Sequence, residues 1–172
     1  MIWRSRPSSN ASLILCRTLI HVNLSLASIA ALRPRSKSSA FDTLTADFAG
    51  RASRYVHCTT EKHATEEAFL AWLERQSART APVVILLDRA GKQLSSQDFA
   101  AYLARLRDSG SQTVVLAIGP PDGWSAHARD RADLLLSFGP ITLPHELARV
   151  VLAEQVYRAL TILAGHPYHS GH

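Results

Sequence analysis

The chain reads as an α/β protein: a mostly parallel sheet with helices on both faces. Three observations predict this class. Val83-Val84-Ile85-Leu86-Leu87 and Thr113-Val114-Val115-Leu116-Ala117-Ile118 are continuous apolar runs of strand length, the pattern of strands buried on both faces. Segments with apolar residues at helical spacing lie around them. Each run ends in a Gly-bearing loop, so strand and helix alternate as in a parallel sheet built from crossover units.

The front of the chain stands apart. Residues 1–36 are Ser- and Arg-rich and hold no acid, and an apolar stretch near 13–32 is interrupted by Arg17, His21, Asn23 and several serines. A transmembrane helix needs roughly 20 predominantly apolar residues, so this stretch fits one poorly. A targeting peptide matches the Arg- and Ser-rich composition better. The third reading is a segment not native to the fold. The chain is therefore divided into an atypical basic segment, 1–36, and a folded domain, 37–172.

Within that domain Phe41, Leu44, Phe48 and Ala52 recur at helical spacing, and Tyr55-Val56-His57-Cys58 suits a short strand. Thr65-Glu66-Glu67 starts a helix to Ala78 whose apolar stripe is Ala68, Phe69, Trp72 and Leu73. After the first apolar run, Asp88-Arg89-Ala90-Gly91-Lys92 turns the chain. Ser95 to Asp98 caps a helix carrying Phe99, Tyr102, Leu103 and Leu106. After the second run and Gly119-Pro120-Pro121-Asp122-Gly123 come a short helix at 125–131, a strand at 133–138 and a last helix from Pro144 to Leu163.

Charge and cysteine usage narrow the function. Residues 1–41 carry six Lys and Arg and no acid, whereas residues 42–172 carry 13 Lys and Arg against 14 Asp and Glu. The net charge of +5 thus belongs to the front, and any RNA contact of the domain rests on local clusters. Cys16 and Cys58 are too few and too far apart for a disulfide framework or a zinc site, so no metal is expected and a reducing compartment, the cytoplasm, is the simplest reading.

In parallel sheets ligands bind where loops leave the carboxyl ends of the strands. Three loops have suitable chemistry: 87–91, 119–123 and 139–144. Glycine lets backbone approach a ligand and proline pre-sets the loop, although both also simply punctuate turns. Neither GxGxxG nor GxxxxGK[ST] is present, which argues against phosphate cradling. An adenine-bearing ligand without phosphate needs apolar walls and backbone hydrogen bonds instead, and Leu87, Ile118, Ile141 and Leu143 beside glycines supply them.

The stretch Gly139 to His169, GPITLPHELARVVLAEQVYRALTILAGHPYH, together with Leu87-Asp88 and Ile118 to Gly123, resembles the RlmH-type SPOUT methyltransferases over roughly Phe41 to His169. The resemblance implies a trefoil-knotted α/β fold at the C-terminal half and a homodimer, with no membrane partner. It implies S-adenosyl-L-methionine as cofactor and methylation of N3 of a pseudouridine in large-subunit (23S) ribosomal RNA on the ribosome. Cofactor contacts would fall on Leu87, Gly119, Gly139, Pro140, Ile141, Thr142, Leu143 and Pro144. A ring nitrogen acceptor must lose a proton, and groups near its carbonyl oxygens stabilise the anion. The candidates are His145, Arg149, His166, Tyr168 and His169, with Tyr168 also suited to stack on a base. Each has a plainer reading: Arg149 and Arg158 as helix-surface charges, Glu154 with Arg158 as an i,i+4 pair, and His145 as a neutral hydrogen-bonding group in a first turn that disfavours positive charge.

Two departures from the family stand out. Pro120 and Asp122 replace a second glycine and a glutamate in the family's IGGPEG-like loop, and Pro120 removes a backbone N–H. Nothing in residues 1–32 resembles the family's first strand and Gly-Lys loop, so Arg35-Ser36-Lys37 is read as a remnant of that loop and the first segment as the product of a shifted frame or altered start. A non-catalytic RNA- or ribosome-associated protein that keeps the scaffold but has lost turnover is the alternative function.

Overall fold

The computed structural model describes residues 22–29, 39–77 and 80–169. Five parallel strands form one sheet in the order β2-β1-β4-β3-β5: β1 (Asn23–Ile29), β2 (Cys58–His63), β3 (Val83–Gln93), β4 (Thr113–Ile118) and β5 (Leu134–Ser137). Helices α1 (Ala40–Ala52), α2 (Glu66–Gln76), α3 (Ser96–Asp108), α4 (Ala126–Asp130) and α5 (His145–Leu163) connect and cover them, and a short 3-10 turn follows at Pro167–His169.

Alternation along the strands sends side chains to two cores. Leu24, Leu26, Ile85, Val114 and Leu116 pack with residues of α1, α3 and α5 on one face, while Ala27, Val84, Leu86, Val115 and Ala117 pack with Phe69, Leu73 and Ala128 of α2 and α4 on the other. Helix starts follow the sequence chemistry. The hydroxyls of Thr65, Ser95 and Ser125 accept from the amides three residues on at 3.1–3.2 Å, and Ser39 forms a capping box with Asp42.

Three expectations are corrected. The segment set apart as 1–36 contributes β1, whose Leu24 to Ile29 are all buried between β2 and β4. Asn23, Ser25 and Ser28 masked the strand in the sequence. Serine is small enough for a crowded central position, and the Ser25 hydroxyl accepts from Thr59 Oγ1 at 3.3 Å. Residues 23–29 are therefore extended rather than helical, and the described residues contain no helix long and apolar enough to cross a membrane. The proposed loop remnant at 35–37 and the readings of residues 1–21 fall outside the described residues.

The second strand lies at 58–63, not 55–58: its sequence, Cys-Thr-Thr-Glu-Lys-His, is polar because β2 is an edge that pairs with β1 alone. Residues 88–92 do turn the chain, but β3 resumes through them. Leu136 of β5 is partnered by Leu87 and again by Lys92. A strand has two hydrogen-bonding edges, so the two stretches of β3 flank β5 from opposite sides and residues 88–91 pass across it. Gly91 makes the crossing, with its backbone pressed against Leu135 and Leu136.

Candidate functional site

Leu87 is in register with Ile118 on β4 and with Leu136 on β5, so loops 87–91, 119–123 and 139–144 leave three neighbouring strands at one edge of the sheet. Leu87 is half-buried and Gly119 buried; Gly139 and Leu143 are half-buried, while Pro140, Thr142, Pro144 and Ile141, the last 74% exposed, face outward. The predicted cofactor residues thus share one rim.

A residue passed over in the sequence holds the first two loops together. Trp124 is buried, its indole Nε1 donates to the Leu87 carbonyl at 2.9 Å, and its ring lies flat enough on Gly119 that a Cβ there would come within 2.8 Å of Cε2. Glycine is required at 119 for that reason. The same segment makes a second tie, from Arg129 Nε to Asp88 at 2.8 Å. The available signal was a tryptophan placed directly after Gly-Pro-Pro-Asp-Gly, where a loop otherwise offers little to bury it.

The third loop is set by Ser137. Its buried hydroxyl accepts from the Gly139 amide at 3.1 Å and lies 3.4 Å from the Arg89 carbonyl, and Gly139 adopts φ +106°, a conformation that side chains other than glycine resist. Beside it opens a cavity of about 270 Å³. Leu94, Phe99, Leu136 and Phe138 wall it, and Gln93 and Gln155 stand among them as polar groups. Of the predicted cofactor set only Gly139 lines it; the apolar wall comes from β5 and the residue after it, from Leu94 just after β3, and from Phe99 of α3 with Val151 and Leu152 of α5, which the loop-based reading did not include.

The family model described as "Predicted SPOUT methyltransferase" matches residues 27–169, the whole of this architecture from within β1 onward. The chain belongs to the SPOUT methyltransferase family. It is 50% identical over 138 residues to the ribosomal RNA large subunit methyltransferase H of Koribacter versatilis (strain Ellin345), covering 80% of this chain and 94% of that protein. It is 59% identical over 86 residues to the protein of that name from Mesorhizobium japonicum, covering 50% of this chain and 54% of the other. Among solved structures it is similar to the SpoU methyltransferase AviRb from Streptomyces viridochromogenes, at 13% identity and a TM-score of 0.48, covering 86% of this chain and 62% of that one.

In this SPOUT chain α5 begins at the rim, and its first turn carries His145. Burial, foremost, holds the imidazole below its usual range, with Arg149 adding to the effect and Glu146 and the Gly119 backbone opposing it. The ring is therefore neutral at pH 7, and its Nε2 is buried without a hydrogen-bond partner among the described residues. Arg149 is not a surface charge: it is 8% exposed and bonded to Glu146 at 2.5 Å and to Asp42 at 2.9 Å. A buried cation between two carboxylates ties α5 to α1.

Asp42 is the hub of that tie. It receives Lys62 Nζ at 2.6 Å as well as Arg149, and the Lys62 contact, foremost, holds its carboxyl well below the ordinary 3.8 despite partial burial. A depressed carboxylate contributes stability that is present above its unfolded value and is lost as pH falls through the folded one. Asp42→Asn is expected to lower stability at pH 7 by about 1–3 kcal/mol, since it leaves a buried guanidinium with one partner. The gap from wild type should narrow as pH is taken from 7 toward 3, as denaturant unfolding at each pH will show.

The tail candidates lie elsewhere. Helix α5 has 19 residues, which puts its far end about 28 Å from the rim. From that end the chain folds back along α5: the Tyr168 hydroxyl donates at 3.1 Å to Glu154, about 14 Å from the start of the helix, and its ring lies 4.8 Å from that of Tyr157 and under the Arg158 guanidinium at 5.0 Å. His166 is exposed, with Nδ1 accepting from the Tyr168 amide at 3.2 Å, and His169 ends the 3-10 turn. Glu154 and Arg158 form the expected i,i+4 pair at 2.8 Å. Within one chain, His145 and Arg149 thus lie in the first turns of α5 beside the loops, whereas Tyr168 meets the middle of that helix and His166 lies beyond its end.

Proposed function

We infer that this chain is an S-adenosyl-L-methionine-dependent methyltransferase acting on N3 of a pseudouridine in large-subunit (23S) ribosomal RNA. The observation that carries the reading is the meeting of three loops at one edge of the sheet, in a chain 50% identical to a protein named ribosomal RNA large subunit methyltransferase H over 94% of that protein's length. The residues present suit the cofactor: apolar walls from Leu136, Phe138 and Phe99, the amide groups of Gln93 and Gln155, and no phosphate cradle. The cavity, at about 270 Å³, is close to the roughly 300 Å³ at which ligand pockets commonly begin.

When bound, the cofactor supplies an activated methyl group. The protein's part is to align the acceptor nitrogen in line with it and to exclude water. Neutral His145 stands beside Gly119 at the rim, and a turn of its ring would bring the buried, unpartnered Nε2 out to hydrogen-bond the base. Arg149 serves indirectly, by fixing the first turns of α5 against α1.

Three further parts of the reading have support. The passage of β5 between two stretches of β3 supports a trefoil knot. Phe41 and Leu44, 39% and 46% exposed on α1, support a homodimer through that helix. A ribosomal RNA substrate supports a cytoplasmic setting. The test is mass spectrometry of ribosomal RNA from a deletion strain. Loss of one N3-methylated pseudouridine is expected; an unchanged modification profile overturns the reading and favours a scaffold without turnover, in which Pro120 has removed a needed N–H.

A further inference from the structure

The crossing turn of β3 bears three charges near its start and end, and the fold sorts them by sign. Asp88 is 4% exposed, held by Arg129 at 2.8 Å and by the Ala90 amide at 2.8 Å. Arg89 and Lys92 are exposed, and neither has an ion-pair partner among the described residues. The segments outside the described residues contain no Asp or Glu and so offer no carboxylate side chain to either cation.

Position separates these two from the other cations without an ion pair among the described residues. Arg54, Arg75 and Arg105 lie in or just beyond the last turns of α1, α2 and α3, at the edge where the helices return the chain to the start of the next strand. Arg89 and Lys92 lie at the opposite edge, with the three loops. The Arg89 carbonyl is 3.4 Å from the Ser137 hydroxyl, the same hydroxyl that holds the Gly139 amide, and Lys92 is in register with Leu136. The exposed Asp122 belongs to the loop after β4, on the other side of β3, and Glu146 is engaged by Arg149. Gly91, wedged against β5, keeps the segment rigid, so binding through it orders little chain.

We propose that Arg89 and Lys92 grip backbone phosphates of the RNA whose base enters the methyl-transfer site. This rests on the proposed function and adds the residues that hold the substrate to one side of the cofactor loops. Phosphate contacts release condensed counterions, so they leave a signature that a packing role does not: each steepens the salt dependence of binding by about 0.7–0.9 in log–log slope.

The experiment measures binding of isolated large ribosomal subunits across a potassium chloride series. It compares the full chain, the Arg89→Gln/Lys92→Gln variant, and an Arg54→Gln/Arg105→Gln control from the far edge. The first variant is expected to lose about tenfold or more in affinity, with a slope shallower by about 1–2, while its calorimetric affinity for S-adenosyl-L-methionine stays at the wild-type value. The control should match wild type. Affinity and slope equal to wild type in the first variant, or an equal loss in the control, overturn the inference. Wild-type protein that binds the cofactor but not the subunits also overturns it; wild-type protein that binds no cofactor sinks the proposed function first.

Discussion

Gly91→Ala should prevent folding or lower the melting temperature by about 6 °C or more. A Cβ at 91 would lie 2.6 Å from the carbonyl carbons of Leu135 and Leu136 and 2.7 Å from the Leu136 amide nitrogen. All three atoms are backbone, in a strand flanked by β3 on both edges, so no side chain can swing aside. Overpacking in a core typically costs about 1–3 kcal/mol, occasionally more, and this site belongs at the upper end. At about 2–4 °C per kcal/mol for a domain of this size, that is a shift well outside error. Gly50→Ala is the comparison: nothing lies within 4 Å of its added Cβ, and alanine is the better helix former, so a gain of about 1 kcal/mol is expected. Thermal unfolding followed by circular dichroism reads both. A Gly91→Ala protein as stable as wild type would mean that β3 does not cross β5 in this way.

The second large effect is on the cofactor. Gly139→Arg should leave no saturable S-adenosyl-L-methionine binding by calorimetry, a loss of at least about a hundredfold, or about 2.8 kcal/mol. Two causes act together. The backbone at 139 has φ +106°, which an L side chain adopts only at a cost of about 1–3 kcal/mol, and a long cationic side chain there meets the mouth of the 270 Å³ cavity and a sulfonium of like charge. Gly139→Ala separates them. Its Cβ has room, the nearest atom being Gln93 Oε1 at 4.0 Å, so it carries the strain without the bulk and should weaken binding only in part. Wild-type affinity in Gly139→Arg, with the fold intact, would move the cofactor away from this loop.

How much of this was legible depends on which signal each residue emits. β3 and β4 were readable as uninterrupted apolar runs, because strands buried on both faces exclude polar groups along their length. β1 is also an interior strand, yet its Asn and Ser residues broke the run; Ser25 and Ser28 are small enough for buried positions, which periodicity cannot register. β2 was misplaced because an edge strand keeps polar residues on its open side. At the site, the loops were found through their glycines and prolines. Trp124 was not, since its importance lies in what it touches, Leu87 and Gly119, both distant in sequence. Arg149 and Arg158 looked alike as helix cations, and only packing distinguishes the buried tie to Asp42 from the half-exposed pair with Glu154.

Local chemistry along the chain was enough to establish an alternating α/β domain, the starts of its capped helices and the three glycine-bearing loops at one rim, because propensity, capping and hydrophobic period act between residues a few positions apart. Which strands lie side by side, that β3 wraps β5 through Gly91, that Asp42 joins Lys62 and Arg149 across 107 residues, and that the tail folds back onto Glu154 midway along the last helix were settled only in three dimensions. Those features depend on backbone and charges meeting across long sequence separations, where no neighbour in the chain records the contact.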